Sequence, residues 1–297
     1  MPVSKKPTRP KAPAKRVKSA SAADKLLGLS AMEGLLAAIS GTRDDGALSR
    51  AQDLMYEAWE EPRAAKRVAL AKKALALAPH CADAWVLLAQ AAATAQEACA
   101  LYQKGVEAGA AALGKDDFED YTGHFWGFLE TRPYMRARAG LAETLWTLGR
   151  HEEAIGHLQA MLELNPGDNQ GLRYVLASHL LTLDDVPALQ VLLDQHDDGG
   201  ALWLYTQALV AFKMGADNAA QLAKEAFEAN RYVPAVLAGK KAPVPVGPFM
   251  SSGGEDEAAY YVAENHPAWT KTPGAIEWLF ETTASASPRK PAKRGGK

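Results

Sequence analysis

The chain's reactive stock is seven histidines, two cysteines and 35 carboxylates, and their spacing argues against catalysis. His151 and His157 stand six apart and share a helical face poorly, and no HExxH occurs, so neither a metal nor a cofactor is expected. No GxxxxGK[ST] or GxGxxG run exists to cradle phosphate. No GxSxG elbow exists, and Ser251-Ser252-Gly253-Gly254 reads as a loop with a helix cap. Cys81 and Cys99 fall in helical stretches as small core residues. Two cysteines make no disulfide framework, which suits a reducing compartment, and a cytoplasmic location is expected. The carboxylates form no pair distinct from a solvated acidic surface. A non-enzymatic protein is the expectation.

Two groups of residues are left with binding chemistry. The first is Arg136, Glu143, Asn169, Gln170, Arg173, Tyr174 and Tyr205, with Asp83 and Gln90 before them. Their register puts them on helices that line an inner face, where a protein or peptide segment would lie. Arg136 and Arg173 on neighbouring helices would fork onto a carboxylate of that partner. The second is the aromatic segment at 118–136, with His124, Trp126, Glu130, Arg132 and Tyr134. It reads either as a pocket for a small ligand, peptide or substrate, or as aromatics packed across a break between repeats.

The elements that must position these residues recur along the chain. Between 134 and 166, Met135, Arg138, Leu141 and Leu145 share one helical face, and Ala139, Gly140 and Ala142 permit close approach of a second helix. Gly149 suits a left-handed cap, and Glu152 and Glu153 suit the first turn of the next helix. Ile155, Leu158, Leu162 and Leu164 form its stripe, and Asn165-Pro166 ends it. Similar units are read at 48–79, 82–108, 169–195 and 200–230, the second degenerate because its loop is about three residues short. Residues 109–133 interrupt the period. A connector follows at 231–254, and helices at 255–266 and 274–280 close the open end, within a carboxy-terminal region of 231–285.

This spacing resembles the tetratricopeptide repeat (TPR), with Leu141, Ala142, Leu145, Ala154, Leu158, Met161 and Pro166 in its slots. The resemblance implies an all-α solenoid of helical hairpins, wound as a right-handed superhelix and closed by carboxy-terminal capping helices. A narrower resemblance rests on NRYVPAVLAGKK, EDEAAYYVAENHPAWTKTPGAIEWL, GHFWGFLETRPYMRARAGLAETLW and NPGDNQGLRY. These are similar to the TPR-containing suppressor-of-tumorigenicity-like family and its bacterial relatives, over about residues 48 to 282. That likeness implies a scaffold or adaptor and brings no catalytic residues.

Charge is uneven. Residues 1–20 hold seven Lys or Arg and no acid, and 286–297 hold five and no acid, so the net charge of −2 leaves the body at −14. Both tails are disordered by composition. They either solubilise or make weak nucleic-acid contact, without interleaved aromatics for stacking. An amphipathic helix is expected at 21–39 on Leu26, Leu29, Met32, Leu36 and Ile39, with a linker to 47. No apolar run is long enough to span a membrane. Binding of a protein segment on the inner face is the leading expectation. A nucleic-acid accessory role through the tails and an enzyme built on 118–136 are the alternatives.

Overall fold

The structure, a computed structural model, describes residues 46–247 and 249–284. Both tails and the 21–39 stripe lie outside the described residues. Among those described, every regular element is helical. Ten helices form five successive pairs: α1 (Ala47–Glu60) with α2 (Ala64–Leu77), α3 (Ala82–Gln90) with α4 (Ala95–Asp120), α5 (Arg132–Thr147) with α6 (His151–Leu164), α7 (Leu172–Leu183) with α8 (Val186–Gln195), and α9 (Ala201–Met214) with α10 (Ala219–Ala229). Short turns make each pair antiparallel. Three more helices follow: α11 (Val233–Leu237), α12 (Glu255–Lys271) and α13 (Ala275–Ala284).

The local chemistry explains the boundaries. Gly149 takes φ +78° between α5 and α6, a region costly for a residue with a Cβ. Glu152 and Glu153 occupy the first turn of α6. Asp185 caps α8 by accepting from the Ala188 N–H at 3.1 Å. Asp168 caps α7, accepting from the Leu172 and Arg173 N–H groups at 2.6 and 3.1 Å.

Packing within the array is close where glycine allows it. A Cβ at Gly109 would lie 2.9 Å from the Tyr134 Cβ and 3.0 Å from its Cα. A Cβ at Gly140 would lie 2.2 Å from Cε1 of the buried Tyr102 ring. Gly140→Ala is therefore expected to cost about 1–3 kcal/mol by overpacking. A urea midpoint unchanged from the native chain would contradict that.

The carboxy-terminal region does more than cover an end. Helix α12 turns back and packs on α7, α9 and α11, and α13 packs on α10, α11 and α12. Ser178 Oγ of α7 donates to Asn265 Oδ1 of α12 at 2.8 Å. Tyr205 of α9 packs on Tyr261 of α12 with ring centroids 5.6 Å apart. The expected stop at His266 is corrected: α12 runs through Pro267 to Lys271. Proline removes one backbone bond. Burial of Ala268 and of Trp269, which is 0% exposed, offsets it.

Candidate binding site

The Arg136 and Asp83 positions do face neighbouring helices, but they are not presented to solvent. Arg136 is 3% exposed and Asp83 0%. Arg136 donates through Nε and Nη2 to the two Asp83 oxygens at 2.8 and 2.6 Å, a bidentate pair. Gln52 Nε2 of α1 donates to the same carboxylate at 2.7 Å. The guanidinium also lies over the Trp59 ring, 5.2 Å from its centroid. The arrangement ties α1, α3 and α5 together. The expectation that Arg136 meets a partner's carboxylate is corrected: its partner is Asp83. Beside this pair the Cys81 thiol is pushed up to about 12 by burial and by the Asp83 charge.

Tyr205 is likewise corrected. It is 0% exposed beneath α12, and its hydroxyl donates to the Asn230 carbonyl at 2.7 Å. Arg173 is half-buried. Its Nη2 donates to Asp198 at 2.6 Å and to the Tyr174 hydroxyl at 3.2 Å, and its Nη1 to Asp168 at 3.3 Å. Tyr174 also donates to Asp198. Burial pushes the Asp198 carboxyl up, but Tyr174, the Gly200 N–H and Arg173 hold it below the ordinary carboxylate range. These residues clamp the loop before α7 to the loop before α9. Gln170 is half-buried nearby, whereas Asn169 and Glu143 are exposed. The structure thus divides the first group of candidates rather than gathering it. Helix α12 fills the face of α7 and α9 on which a partner was expected.

The aromatic segment packs inward. Helix α4 breaks at Gly114, at φ 73° and ψ 176°, so its last turn brings Phe118 against Phe125 at 4.8 Å and Tyr134 at 5.2 Å. Phe125, Trp126 and Tyr134 are buried. Thr131 Oγ1 donates to the Phe125 carbonyl, and the Trp126 N–H donates to Asn165 Oδ1 at 3.3 Å. Arg132 covers the Trp126 ring at 5.2 Å and donates to its carbonyl at 3.0 Å. His124 and Glu130 are exposed, and Glu130 accepts from Tyr121 at 3.1 Å. The expected pocket among these five is corrected to a packed cluster, because the rings fill the space between α4 and α5.

One opening lies between the first helix pair and α5. Helix α3 has 9 residues, against 14 in α1 and 16 in α5. At 1.5 Å per residue it ends about 7 Å short of α1. The turn comes early because Thr94 caps α4, accepting from Glu97 N at 3.1 Å, while Glu97 accepts from Ala93 N at 3.2 Å. The shortfall leaves a notch of about 550 Å³ between the first pair and α5. Its lining carries Arg67, Gln90, Tyr102, Glu143, Thr144 and Thr147, and most of the rest is alanine, with Val68 and Leu87. Arg67 Nε is buried and meets no hydrogen-bond partner among the described residues. Tyr102 is pushed up to about 12 by burial and by the Glu143 charge, so it stays a neutral hydroxyl. Cations, acceptors and hydroxyls among small residues suit a peptide's backbone and polar side chains. Of these residues, the inner-face register singles out only Gln90 and Glu143. The Thr94-x-x-Glu97 signature beginning four residues after Gln90 was the signal for the rest.

A further junction lies across α5 and α7. Trp146 stacks on His179 with centroids 3.6 Å apart and on His151 at 4.2 Å. Burial, with a smaller effect of His151, holds the His179 imidazole down at about 4. The unfolded chain takes up that proton near 6.5 and the folded chain does not, so stability is present above 6.5 and is lost as pH falls toward 4. Between pH 7 and 5 the native chain is expected to lose about 1–2 kcal/mol from this group. His179→Phe, which keeps the stack, should show a shallower loss in urea unfolding. Equal slopes would contradict the assignment.

Fold and notch together define an all-helical protein of successive helix pairs, with an opening at its amino-terminal half and with α12 packed over α7 and α9 in the other half. A family model described as ST7 protein matches residues 39–162, which include the notch and the Asp83–Arg136 pair. The chain is similar to the chicken (Gallus gallus) suppressor of tumorigenicity 7 protein-like, 27% identical over 267 residues, covering 81% of this chain and 48% of that protein. The human protein of that name is 25% identical over 266 residues, covering 80% and 46%. The zebrafish (Danio rerio) protein is 26% identical over 258 residues, covering 77% and 43%. The chain spans about half the length of these curated relatives. No helix among the described residues is long and apolar enough to cross a membrane.

Proposed function

We propose that the chain is a TPR-like scaffold of the cytoplasm, a right-handed solenoid of helical hairpins that binds a segment of a protein partner without chemistry of its own. The single feature that supports it most is the notch between α2, the α3–α4 turn and α5, where Arg67 lines the wall and its buried Nε has no hydrogen-bond partner among the described residues. A buried donor without a partner costs about 1–3 kcal/mol, and a bound carbonyl would recover that. Repeat architecture supports it too, because stacked hairpins present a rigid framework on which an irregular repeat becomes the binding place. The likeness to suppressor of tumorigenicity 7-like proteins is compatible with a scaffold, and their names assign no activity.

The test is a selection of displayed 12-residue peptides on two chains, native and Ala92→Phe, whose ring would fill the notch. Peptides enriched on the native chain and lost from the filled one, with equal helicity, would support the reading. Enrichment of the same peptides on both would sink it. Arg67→Ala should weaken the selected peptides by about 1–3 kcal/mol, or roughly 5- to 150-fold.

A further inference from the structure

We infer that a second groove, at the opposite end of α3 from the notch, takes this chain's own amino-terminal segment, residues 1–45. Ala82 opens α3 on the groove side and Gln90 closes it on the notch side. The groove has a volume of about 410 Å³. Its apolar wall is Leu48, Leu113, Leu129 and Pro133, its carboxylates are Asp53 and Glu130, and among the described residues no Lys or Arg lines it.

The groove exists because α4 is long. It runs 26 residues against 14 in α2, so its last turns overhang the first pair. Beyond the break at Gly114 the overhang carries Asp116, Asp117, Glu119 and Asp120, all exposed, against Lys115 alone. Lys115 reaches Glu119 at 3.8 Å with both side chains well exposed, a pair that neutralises little of this charge. The α4 wall of the groove ends at Leu113, three residues before this acidic ledge begins.

Three features of the chain fit residues 1–45 to that surface. The segment joins the body at Gly46, two residues before Leu48 in the groove wall. Its nearer part repeats Leu26, Leu29, Met32, Leu36 and Ile39 at three- to four-residue spacing, which matches an apolar groove. Its farther part holds seven Lys or Arg in residues 1–20 and no acid, which matches the ledge. Apolar and basic parts therefore come in the order in which groove and ledge are met. A tether of this length holds the segment at an effective concentration of order millimolar, so weak contacts suffice. This contact is independent of the notch and stands or falls without it.

Limited tryptic digestion of the full chain tests it. At low salt, cleavage after Lys18 and Lys25 should be about tenfold slower than in a synthetic peptide of residues 1–45. About 0.5 M salt should erase most of the protection, since it screens the ledge. So should Leu48→Glu, a change at a residue 39% exposed that leaves the core intact. Neutralising the ledge with Asp116→Asn, Asp117→Asn, Glu119→Gln and Asp120→Asn should act likewise, with the thermal melt unchanged. Equal cleavage of chain and peptide would overturn the proposal. So would protection that survives both variants, which puts the segment elsewhere, or protection that rises with protein concentration, which puts it on a second copy. The Ala92→Phe chain should keep full protection, so failure here and failure of the notch are distinguishable.

Discussion

Asp83→Ala is expected to destabilise the chain by about 3–5 kcal/mol, because it strands the Arg136 guanidinium in a buried site. Both groups are within a few per cent of fully buried, and two hydrogen bonds of 2.6 and 2.8 Å join them. The penalty is that of an uncompensated buried charge, not the net contribution of the pair. Asp83→Leu combined with Arg136→Met removes both charges and should therefore lose much less, about 1 kcal/mol or none. Gln52 would then turn to water, as it is only half-buried. Urea unfolding of the two single variants and the double gives the coupling directly. A single-variant cost below about 1 kcal/mol would mean that Arg136 rehydrates at an inner surface. That outcome would reopen the idea that it meets a partner.

The second large effect concerns α12. Trp269→Ala is expected to cost about 3–5 kcal/mol, since the indole is fully buried and its Nε1–H donates to the Tyr261 hydroxyl at 3.0 Å. Tyr261 in turn packs on Tyr205, so the loss should spread to α9. Burial pushes the Tyr261 and Tyr205 hydroxyls above the ordinary tyrosine range, which keeps both neutral under the helix. Hydrogen exchange should quicken in α12, α7 and α9 and change little in α1 to α4. Local release of α12 alone, with the global melt unchanged, would instead make it a displaceable strap over the inner face.

Much of the helical order was readable from spacing, because a buried stripe every three to four residues is a local signal. Gly149 and the Glu152-Glu153 pair marked one turn correctly for the same reason. What spacing does not carry is which helix meets which. Arg136 reads as an inner-face residue, yet its neutralising Asp83 lies 53 positions earlier and is brought near only by the packing of α3 on α5. The crowd of aromatics at 118–136 was visible. Its inward direction depends on the Gly114 break and on Thr131 pinning the following turn, both tertiary in consequence. Pro267 misled because its local preference was outweighed by Trp269 burial two residues later. The notch was within reach: Thr94 and Glu97 announce an early helix start, and counting back from them leaves α3 too short to fill its row.

On the proposed reading a partner segment binds at the notch in the amino-terminal half, and α12 keeps it off α7 and α9. Hydrogen exchange on the full chain, with and without a peptide selected on it, tests this most directly. Protection at 64–68, 87–102 and 140–147, with α7, α9 and α12 unchanged, is the predicted result. Protection along α7 and α9 with quickened exchange in α12 would contradict it, placing the partner where α12 now lies.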